Sequence, residues 1–402
     1  MEKIKLILLL PFIFYSSLIN AQWIQKNSGT INHLYDIHFP TADVGYAVGY
    51  YGTILKSTDA GETWTALNID PQCNLNAVRF VNRDTGFTVG DSIIFKTTDG
   101  GLNWTKTILS NGTSLYDIKF IDDTTGFCVG SPGYLLKTTD GGASWVPKSA
   151  GSYINLSHIS FPVRDTGYIS LDAGRGFLKS IDGGETWNWF PLTPITDVSN
   201  LDGIYFTSTS NGIIAGWYDA YLLKTTDGGN SWGNKDTIDP VFINSVYFPS
   251  ASNGYAVGWY GRIIHSTDGG DNWADQNSGV SYGAFHGRTL YSVYFIDDHT
   301  GFVVGDSGTI LKTSNSGVGI VEEKSQDLIF NIYPNPTNEV INISVKNSKN
   351  NCISIYNLLG EEVYSGMFNG IRATINCKLA GGVYYIQLTN SEENRTKKLL
   401  IE

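Results

Sequence analysis

Six aspartates that recur in one repeated turn are the first residues of this sequence that could do chemistry. They take the third position of eight-residue segments such as STDAGETW (57–64) and TTDGGLNW (97–104). Carboxylates act as general acids, general bases or calcium ligands when they converge on one atom. Six equivalent carboxylates spread over a repeat cannot converge, so we predict that each accepts N–H groups of its own turn. They are Asp59, Asp99, Asp140, Asp182, Asp227 and Asp268.

Two other patterns imitate catalytic or metal sites. The tetrapeptide GDSG at 305–308 matches the nucleophile loop of trypsin-like proteases, but it aligns with GYYG at 49–52 and GWYG at 258–261 and is therefore an ordinary turn. The histidines show no HxH or HExxH spacing, so no metal site, cofactor or catalytic residue is predicted. These histidines are His33, His38, His158, His265, His286 and His299.

The turns belong to a repeat that predicts the fold. Their closing tryptophans are separated by 40, 41, 42, 45 and 41 residues, the length of one four-stranded propeller blade. Each unit supplies an LxxIxF segment, a GYxVG segment, an ILK segment and a stretch after the tryptophan, all with strand character. The first segment occurs seven times. We therefore predict an all-β protein with a seven-bladed β-propeller over residues 22–320.

The seventh unit lacks the turn tryptophan and a fourth strand. Trp23 opens the segment WIQKNSG, which resembles WADQNSG after Trp273. We expect this N-terminal strand to complete blade seven and to pair the last exposed edge of the ring.

The repeated turn resembles the Asp-box, or bacterial neuraminidase repeat, SxDxGxxW. Over about residues 23–317, the combination GYAVGYYGTILKSTDAGETW resembles the photosystem II stability and assembly factor family. That resemblance implies a non-enzymatic, partner-binding propeller. The family presents a basic arginine patch, whereas this propeller region holds the whole acidic excess of a chain with formal charge -11. The assembly role therefore does not carry over.

Both ends of the chain read as export signals. Residues 1–21 combine Lys3 and Lys5 with an apolar run and a small residue at Ala21, which predicts a cleaved signal peptide and no membrane span in the mature protein. Residues 321–328 form a predicted linker. The alternating segments 340–345, 352–357, 371–377 and 382–388 are predicted strands of a small C-terminal β-sandwich over residues 329–402.

The last domain resembles the type A C-terminal sorting domain of the type IX secretion system of Bacteroidota. The match includes YPNP at 333–336, IYNLLGEEV at 355–363 and LAGGVYYIQL at 379–388. It implies the secretion machinery as a partner and a location outside the cell or on its outer surface, reached through the periplasm. Four cysteines, Cys73, Cys128, Cys352 and Cys377, are too few for a disulfide framework. Cys352 and Cys377 could pair or remain free thiols.

The composition, and the residues that related enzymes require, favour a binding protein over an enzyme. No basic stripe is present for nucleic acid or anionic lipid. Sialidases need an arginine cluster that this propeller lacks, and xyloglucanase-like enzymes use two propellers around a cleft. We predict a secreted or cell-surface, non-enzymatic binding or adhesion scaffold for an unknown extracellular protein or glycan. A glycoside hydrolase acting on extracellular polysaccharide is the alternative.

The face that carries the second-to-third-strand turns is the predicted ligand-binding face. Turns of blades one, five and six bring aromatic residues there, and a long insertion at 274–289 enters blade seven on the same face. Grouped aromatics suit sugar stacking or a protein hot spot, with burial between blades as the alternative. The predicted ligand residues are Tyr50, Tyr51, Trp217, Tyr218, Trp259, Tyr260, Tyr282, Phe285, His286 and Arg288.

Overall fold

The computed structural model describes residues 23–67, 69, 73–109, 112–173, 175–195, 200–216, 222–235, 242–280, 288–316, 330–337, 340–345, 351–357, 360–376, 378–389 and 394–401. The chain divides into two compact units, Met1–Ile320 and Val321–Glu402. Each unit is built from β-strands joined by short turns.

The strands of the first unit are short, as the spacing of its turn residues predicts. Up to residue 108 they are β1 (Ile24–Lys26), β2 (Leu34–His38), β3 (Gly45–Gly49), β4 (Ile54–Ser57), β5 (Thr65–Leu67), β6 (Leu75–Phe80), β7 (Gly86–Gly90), β8 (Ile93–Thr97) and β9 (Thr105–Ile108). The next eight are β10 (Leu115–Phe120), β11 (Gly126–Gly130), β12 (Tyr134–Thr138), β13 (Val146–Ser149), β14 (Leu156–Val163), β15 (Thr166–Leu171), β16 (Gly176–Ser180) and β17 (Asn188–Pro191).

The remaining strands of this unit continue the pattern. They are β18 (Leu201–Phe206), β19 (Gly212–Gly216), β20 (Leu222–Thr225), β21 (Gly233–Lys235), β22 (Ile243–Tyr247), β23 (Gly254–Gly258), β24 (Ile263–Ser266), β25 (Ala274–Gln276), β26 (Leu290–Phe295), β27 (Gly301–Gly305) and β28 (Thr309–Thr313). Three one-turn 3₁₀ segments join second to third strands, at Tyr50–Gly52, Trp259–Gly261 and Asp306–Gly308.

The described strands of the first unit form seven four-stranded antiparallel sheets. Sheets 1 to 6, numbered in chain order, each contain four consecutive strands from β2 to β25, and sheet 7 has the order β1-β28-β27-β26. The first strand of each sheet contacts the first strand of the next, and β26 contacts β2. The sheets therefore close into a ring around the seven first strands, which is the architecture of a β-propeller.

A repeated aromatic contact joins neighbouring sheets and explains the LxxIxF and GYxVG patterns. The Tyr46 ring of sheet 1 stacks on Phe80 of sheet 2, with ring centroids 3.9 Å apart. Trp104, the turn tryptophan of sheet 2, meets the same Phe80 ring edge-on at 6.2 Å. Any side chain at Gly86 would overlap the Phe80 ring, so the glycine that opens the second strand makes room for this contact.

A lysine of the third strand also joins neighbouring sheets at five positions of the ring. Lys56 Nζ donates to the Gly100 carbonyl of the next turn at 2.6 Å and lies 5.5 Å from the centre of the Tyr46 ring. The ammonium therefore satisfies a turn carbonyl and contacts an aromatic face at once. Equivalent bonds to the carbonyls of the following turn are made by Lys96, Lys137, Lys179 and Lys312.

The N-terminal strand completes sheet 7, as the sequence predicts. Strand β1 pairs with β28 in the register Ile24 to Lys312. Trp23 is 4% exposed and meets Phe295 edge-on with centroids 6.0 Å apart, the same contact that the turn tryptophans make in other sheets. Its indole N–H donates to Gln276 Oε1 at 2.9 Å. Trp23 thus replaces the tryptophan that the seventh repeat lacks.

The second unit packs a three-stranded sheet against a four-stranded one. The strand orders are β29-β30-β33 and β32-β31-β34-β35, and both sheets contribute to one apolar core that includes Phe330, Ile341 and Ile386. The sequence placed four of these strands to within about one residue and did not identify β29, β32 and β35. The bounds are β29 (Phe330–Tyr333), β30 (Val340–Val345), β31 (Asn351–Tyr356), β32 (Glu362–Phe368), β33 (Arg372–Asn376), β34 (Gly382–Thr389) and β35 (Asn394–Ile401).

Among the described residues, no helix has the length and apolar character needed to cross a membrane.

Candidate functional site

The first strands of the propeller sheets position the side chains that line its central channel. In the pattern L-x-x-[I/V]-x-F, the apolar positions pack between sheets and the intervening positions face the axis. A β-bulge in each of the seven first strands, between Leu34 and Asp36 in β2, turns two successive side chains toward the channel. The channel is therefore lined by three levels of side chains.

We name these levels the outer, middle and inner tiers, for strand positions two, three and five. The outer tier contains Tyr35, Asn76, Tyr116, Ser157, Asp202, Asn244 and Tyr291. The described lining residues of the middle tier are Asp36, Ala77, Asp117, His158, Ser245 and Ser292. The inner tier contains His38, Arg79, Lys119, Ser160, Tyr205, Tyr247 and Tyr294.

The outer tier surrounds a pocket of about 460 Å³ at one mouth of the channel. Trp259, Thr289 and Asp172 complete its wall from the loops of that face. The Tyr35 and Tyr291 rings meet edge-on at 5.3 Å, and the Tyr291 hydroxyl donates to Asp306 Oδ1 at 2.8 Å. The mouth is thus a fixed aromatic rim with amide, hydroxyl and carboxyl groups between the rings.

Two carboxyl groups in this pocket have different surroundings. Asp172 Oδ2 accepts from Asn155 Nδ2 at 3.1 Å. Burial raises the pKa of Asp202 to about 7, and the nearby Asp172 charge adds to that rise. Near neutral pH, Asp202 can therefore exchange a proton.

The inner tier holds adjacent sheets together by bonds to their backbones. The hydroxyls of three tyrosines donate to a phenylalanine carbonyl of the next sheet, at 3.0 to 3.2 Å, as Tyr205 does to Phe248. His38 Nδ1 accepts from the Phe80 N–H at 3.3 Å, and Ser160 Oγ accepts from the Phe206 N–H at 3.1 Å. Burial, with the charges of Arg79 and Lys119, holds the pKa of His38 well below its usual value, so this histidine is a neutral acceptor.

Of the described residues in the predicted ligand-binding set, the structure places Trp259 in the wall of the mouth pocket. Trp259 lines the mouth pocket and packs on Phe242, with centroids 4.5 Å apart. Tyr50 and Tyr51 are 44% and 50% exposed, and their rings stack at 5.9 Å. Tyr260 is half-buried beside Trp259.

Arg288, a described member of the predicted set, does not line the pocket. Arg288 Nη1 donates to Thr309 Oγ1 at 2.9 Å, so it braces sheet 7. The remaining members of the prediction lie outside the described residues: Trp217, Tyr218, Tyr282, Phe285 and His286.

The repeated aspartates have the local bonds predicted for them. Asp59 Oδ1 accepts from the Ser57 hydroxyl at 2.8 Å and from the Thr63 N–H at 2.9 Å. These bonds lower the pKa of Asp59 to about 2. The turn carboxylates are therefore occupied as acceptors, and the same pattern occurs at Asp99, Asp140, Asp182, Asp227 and Asp268.

The protease-like tetrapeptide is a turn, as its register predicts. Ser307 lies in the third 3₁₀ segment with φ 54°, matching Tyr51 at 57° and Tyr260 at 58° in the other two. Among the described residues, no group of three or more His, Cys, Asp or Glu side chains could hold a metal ion. Cys352 is a free thiol, and Cys377 lies outside the described part of the chain.

Sequence reasoning did not identify the channel tiers. His38 and His158 were considered only for metal-ligand spacing, yet both line the channel. A signal was available, since Leu or Ile, then Ile or Val, then Phe recur in every copy of the first strand while the positions between them change from copy to copy. In a closed ring those variable positions meet at the axis.

Family comparisons agree with the two-unit organisation. Residues 16–114, 109–195, 193–280 and 240–315 match the family described as photosynthesis system II assembly factor YCF48. Residues 331–402 match the secretion system C-terminal sorting domain, which indicates export through the type IX secretion system to the cell surface or the extracellular space. A curated relative, an endo-acting ulvan lyase of Formosa agariphila, is 36% identical over 72 residues, which are 17% of this chain and only 14% of that protein.

Three solved structures share the propeller fold. A structure titled YCF48 bound to D1 peptide has a TM-score of 0.63 and 20% identity, covering 73% of this chain and 97% of the other. A GH74 xyloglucanase from Xanthomonas campestris has a TM-score of 0.60 and 12% identity, covering 94% of this chain and 67% of the other. PorZ, a surface component of the type IX secretion system of Porphyromonas gingivalis, has a TM-score of 0.55 and 13% identity, covering 92% of this chain and 59% of the other. At these identities the likeness is one of fold.

Proposed function

Because the chain belongs to the family of the photosynthesis system II assembly factor YCF48 and carries a secretion-system sorting domain, we propose that it is an exported binding protein without catalytic activity. Its ligand binds at the mouth of the central channel. The mouth pocket carries this proposal, since it combines about 460 Å³ of space with a rim of aromatic rings and polar groups.

The carboxyl groups at the mouth of the channel favour a positively charged ligand. Asp172 and Asp202 line the pocket, and none of its described lining residues is a lysine or arginine. The aromatic faces of Tyr35, Tyr116 and Trp259 attract cations as well as apolar groups. A basic side chain placed between these rings and carboxylates gains both contacts at once.

We infer that the ligand is a basic segment of an extracellular polypeptide. The propeller region holds the acidic excess of the chain, which steers positively charged partners toward it. A solved YCF48 propeller has a bound peptide, so a ring of this family can accept a peptide ligand. A neutral glycan would use the same aromatic rim but would gain no charge pairing from the two carboxylates.

Fluorescence polarisation with labelled lysine- and arginine-containing peptides tests this function. We expect the Asp202→Asn and Asp172→Asn variants to lose about tenfold in affinity each, because a charge-assisted contact disappears. Asp123→Asn, at an exposed turn between first and second strands, is the matched control. Equal affinity for acidic peptides of the same length, or binding that survives both mouth substitutions, would refute the proposal. Binding to a glycan array that is unchanged by both substitutions would indicate that the ligand is a sugar and not a peptide.

A glycoside hydrolase is the second candidate, and one observation favours it. Asp202 has a pKa near 7 beside Asp172 in one pocket, as a general acid paired with a carboxylate base would have. Reducing-sugar release from xyloglucan and from other extracellular polysaccharides measures this activity. Turnover that disappears in Asp202→Asn and persists in Asp123→Asn would establish the enzyme. Absence of turnover, with peptide binding intact, supports the binding protein.

A further inference from the structure

Two cations of the inner tier differ from their five neighbours. His38, Ser160 and the three tyrosines bond the backbone of the adjacent sheet, whereas Arg79 and Lys119 do not. Within the described part of the chain, neither the Arg79 guanidinium nor the Lys119 ammonium makes a hydrogen bond or an ion pair, and Arg79 Nε is buried without a partner. Both side chains line a cavity of about 270 Å³.

The nearest carboxylates do not satisfy these cations directly. Asp36 accepts from the Val78 N–H at 2.9 Å and from the Ser292 hydroxyl at 2.8 Å. Asp117 accepts from the Ile118 N–H at 2.7 Å and from the Ile159 N–H at 3.0 Å. The carboxylates are therefore fixed in the middle tier by backbone groups, and the two cations project beside them into open space.

Burial opposes the positive charge of both Arg79 and Lys119. Burial lowers the pKa of Lys119 to about 8, with the Arg79 charge adding to that effect and the Asp117 charge opposing it. Burial disfavours the charge of Arg79, but Asp36 and Asp117 raise its pKa above the usual value. Two adjacent, enclosed cations without partners are unfavourable unless an acceptor enters the cavity.

We propose that Arg79 and Lys119 form an anion-binding site inside the propeller channel, which takes a small oxyanion such as phosphate, sulfate or a carboxylate. The guanidinium offers a planar pair of N–H donors and the ammonium a point charge, a combination that suits an oxyanion. This site lies three residues further along each first strand than the outer tier, about 10 Å deeper at the rise of a β-strand. It is independent of the ligand proposed for the mouth.

Isothermal titration of the full mature protein with sodium phosphate, sodium sulfate and sodium acetate, at constant ionic strength in chloride, tests this site. We expect one anion per chain, and a loss of about 10- to 100-fold in affinity in Lys119→Met and in Arg79→Met, since each removes charge-assisted hydrogen bonds. Lys106→Met, at an exposed position of β9, is the matched charge control. Asp202→Asn should keep the anion affinity, which separates this site from the mouth.

Thermal melting without added oxyanion gives a second readout. A cation that lacks partners contributes no bond, so Lys119→Met should melt at or above the wild-type temperature, and phosphate should raise the melting point of the wild type alone. Crystals grown with selenate should show an anomalous peak between the two side chains. Water alone at that position, unchanged affinity in both variants, or a lower melting point in Lys119→Met without anion would overturn the proposal.

Discussion

Replacing Trp23 by alanine tests whether the N-terminal strand closes the propeller. The side chain is 4% exposed, meets Tyr255 and Phe295 edge-on at 6.4 and 6.0 Å, and donates to Gln276. Truncating a buried tryptophan costs about 3 to 5 kcal/mol, and each aromatic pair adds about 0.5 to 1.5 kcal/mol beyond its area. We therefore expect a loss of about 4 kcal/mol, the middle of that range.

The assay can report on the propeller alone, because all ten tryptophans of the chain precede residue 320. Tryptophan fluorescence during urea unfolding and thermal melting therefore follows the first unit and ignores the second. A loss of about 4 kcal/mol corresponds to a decrease of roughly 8 °C in melting temperature for a domain of this size. Deleting residues 22–30 should cost more, since it also leaves the edge of β28 unpaired.

The matched control is Trp189→Ala, which removes the same side chain from a site that is 54% exposed. We expect this variant to lose less than about 1 kcal/mol. If Trp23→Ala and Trp189→Ala have the same midpoint, or if the deletion leaves the transition unchanged, the closure contributes no stability and the reasoning is refuted.

The other predictions concern acid stability, the ligand and the second unit. Local hydrogen bonds lower the pKa of the turn aspartates, to about 2 for Asp59, Asp182 and Asp227. As the pH falls, these carboxylates therefore bind protons in the unfolded chain before they do so in the folded protein. The stability of the propeller should decrease between about pH 4 and about pH 2. Urea midpoints that stay constant over this window would contradict it. Trp259→Ala should weaken peptide binding about tenfold with an unchanged melting temperature, whereas a collapse of folding would assign Trp259 to packing alone. Affinity for a basic peptide should rise between about pH 6 and pH 8 as Asp202 loses its proton, and Asp202→Asn should remove that dependence. Removing residues 321–402 should leave the fluorescence midpoint unchanged and stop export in the native host, so normal secretion of the truncated protein would contradict the sorting role.

Repetition made most of the fold readable from the sequence. A tryptophan every 40 to 45 residues and a repeated LxxIxF segment gave the blade length and the order of strands, because each repeat is one sheet that buries its faces only against its neighbours. The same regularity assigned GDSG at 305–308 to a turn. In the second unit, β29, β32 and β35 were missed because they have no repeat with which to align.

The candidate site was only partly predictable. The ligand-binding face was inferred from strand direction, and Trp259 does line a pocket there. The sequence pointed to exposed aromatics of the turns, but the pocket is formed mostly by the outer tier of the first strands. Those residues look unremarkable in sequence, since Tyr35, Asn76 and Asp202 are hydrophilic or aromatic positions in ordinary alternating strands.

Local pattern by itself determined which segments become strands, which turns carry structural aspartates and where the chain is addressed for export, because those properties depend on residues close together in sequence. Ring closure decided the rest. Arg79 and Lys119 are 40 residues apart in the chain, and Asp172 and Asp202 are 30 apart. They share a cavity or a mouth only because seven sheets turn their first strands toward one axis, where enclosure by protein shifts pKa values and leaves charges without partners. No spacing rule in the sequence encodes that meeting, since it follows from packing around the whole ring.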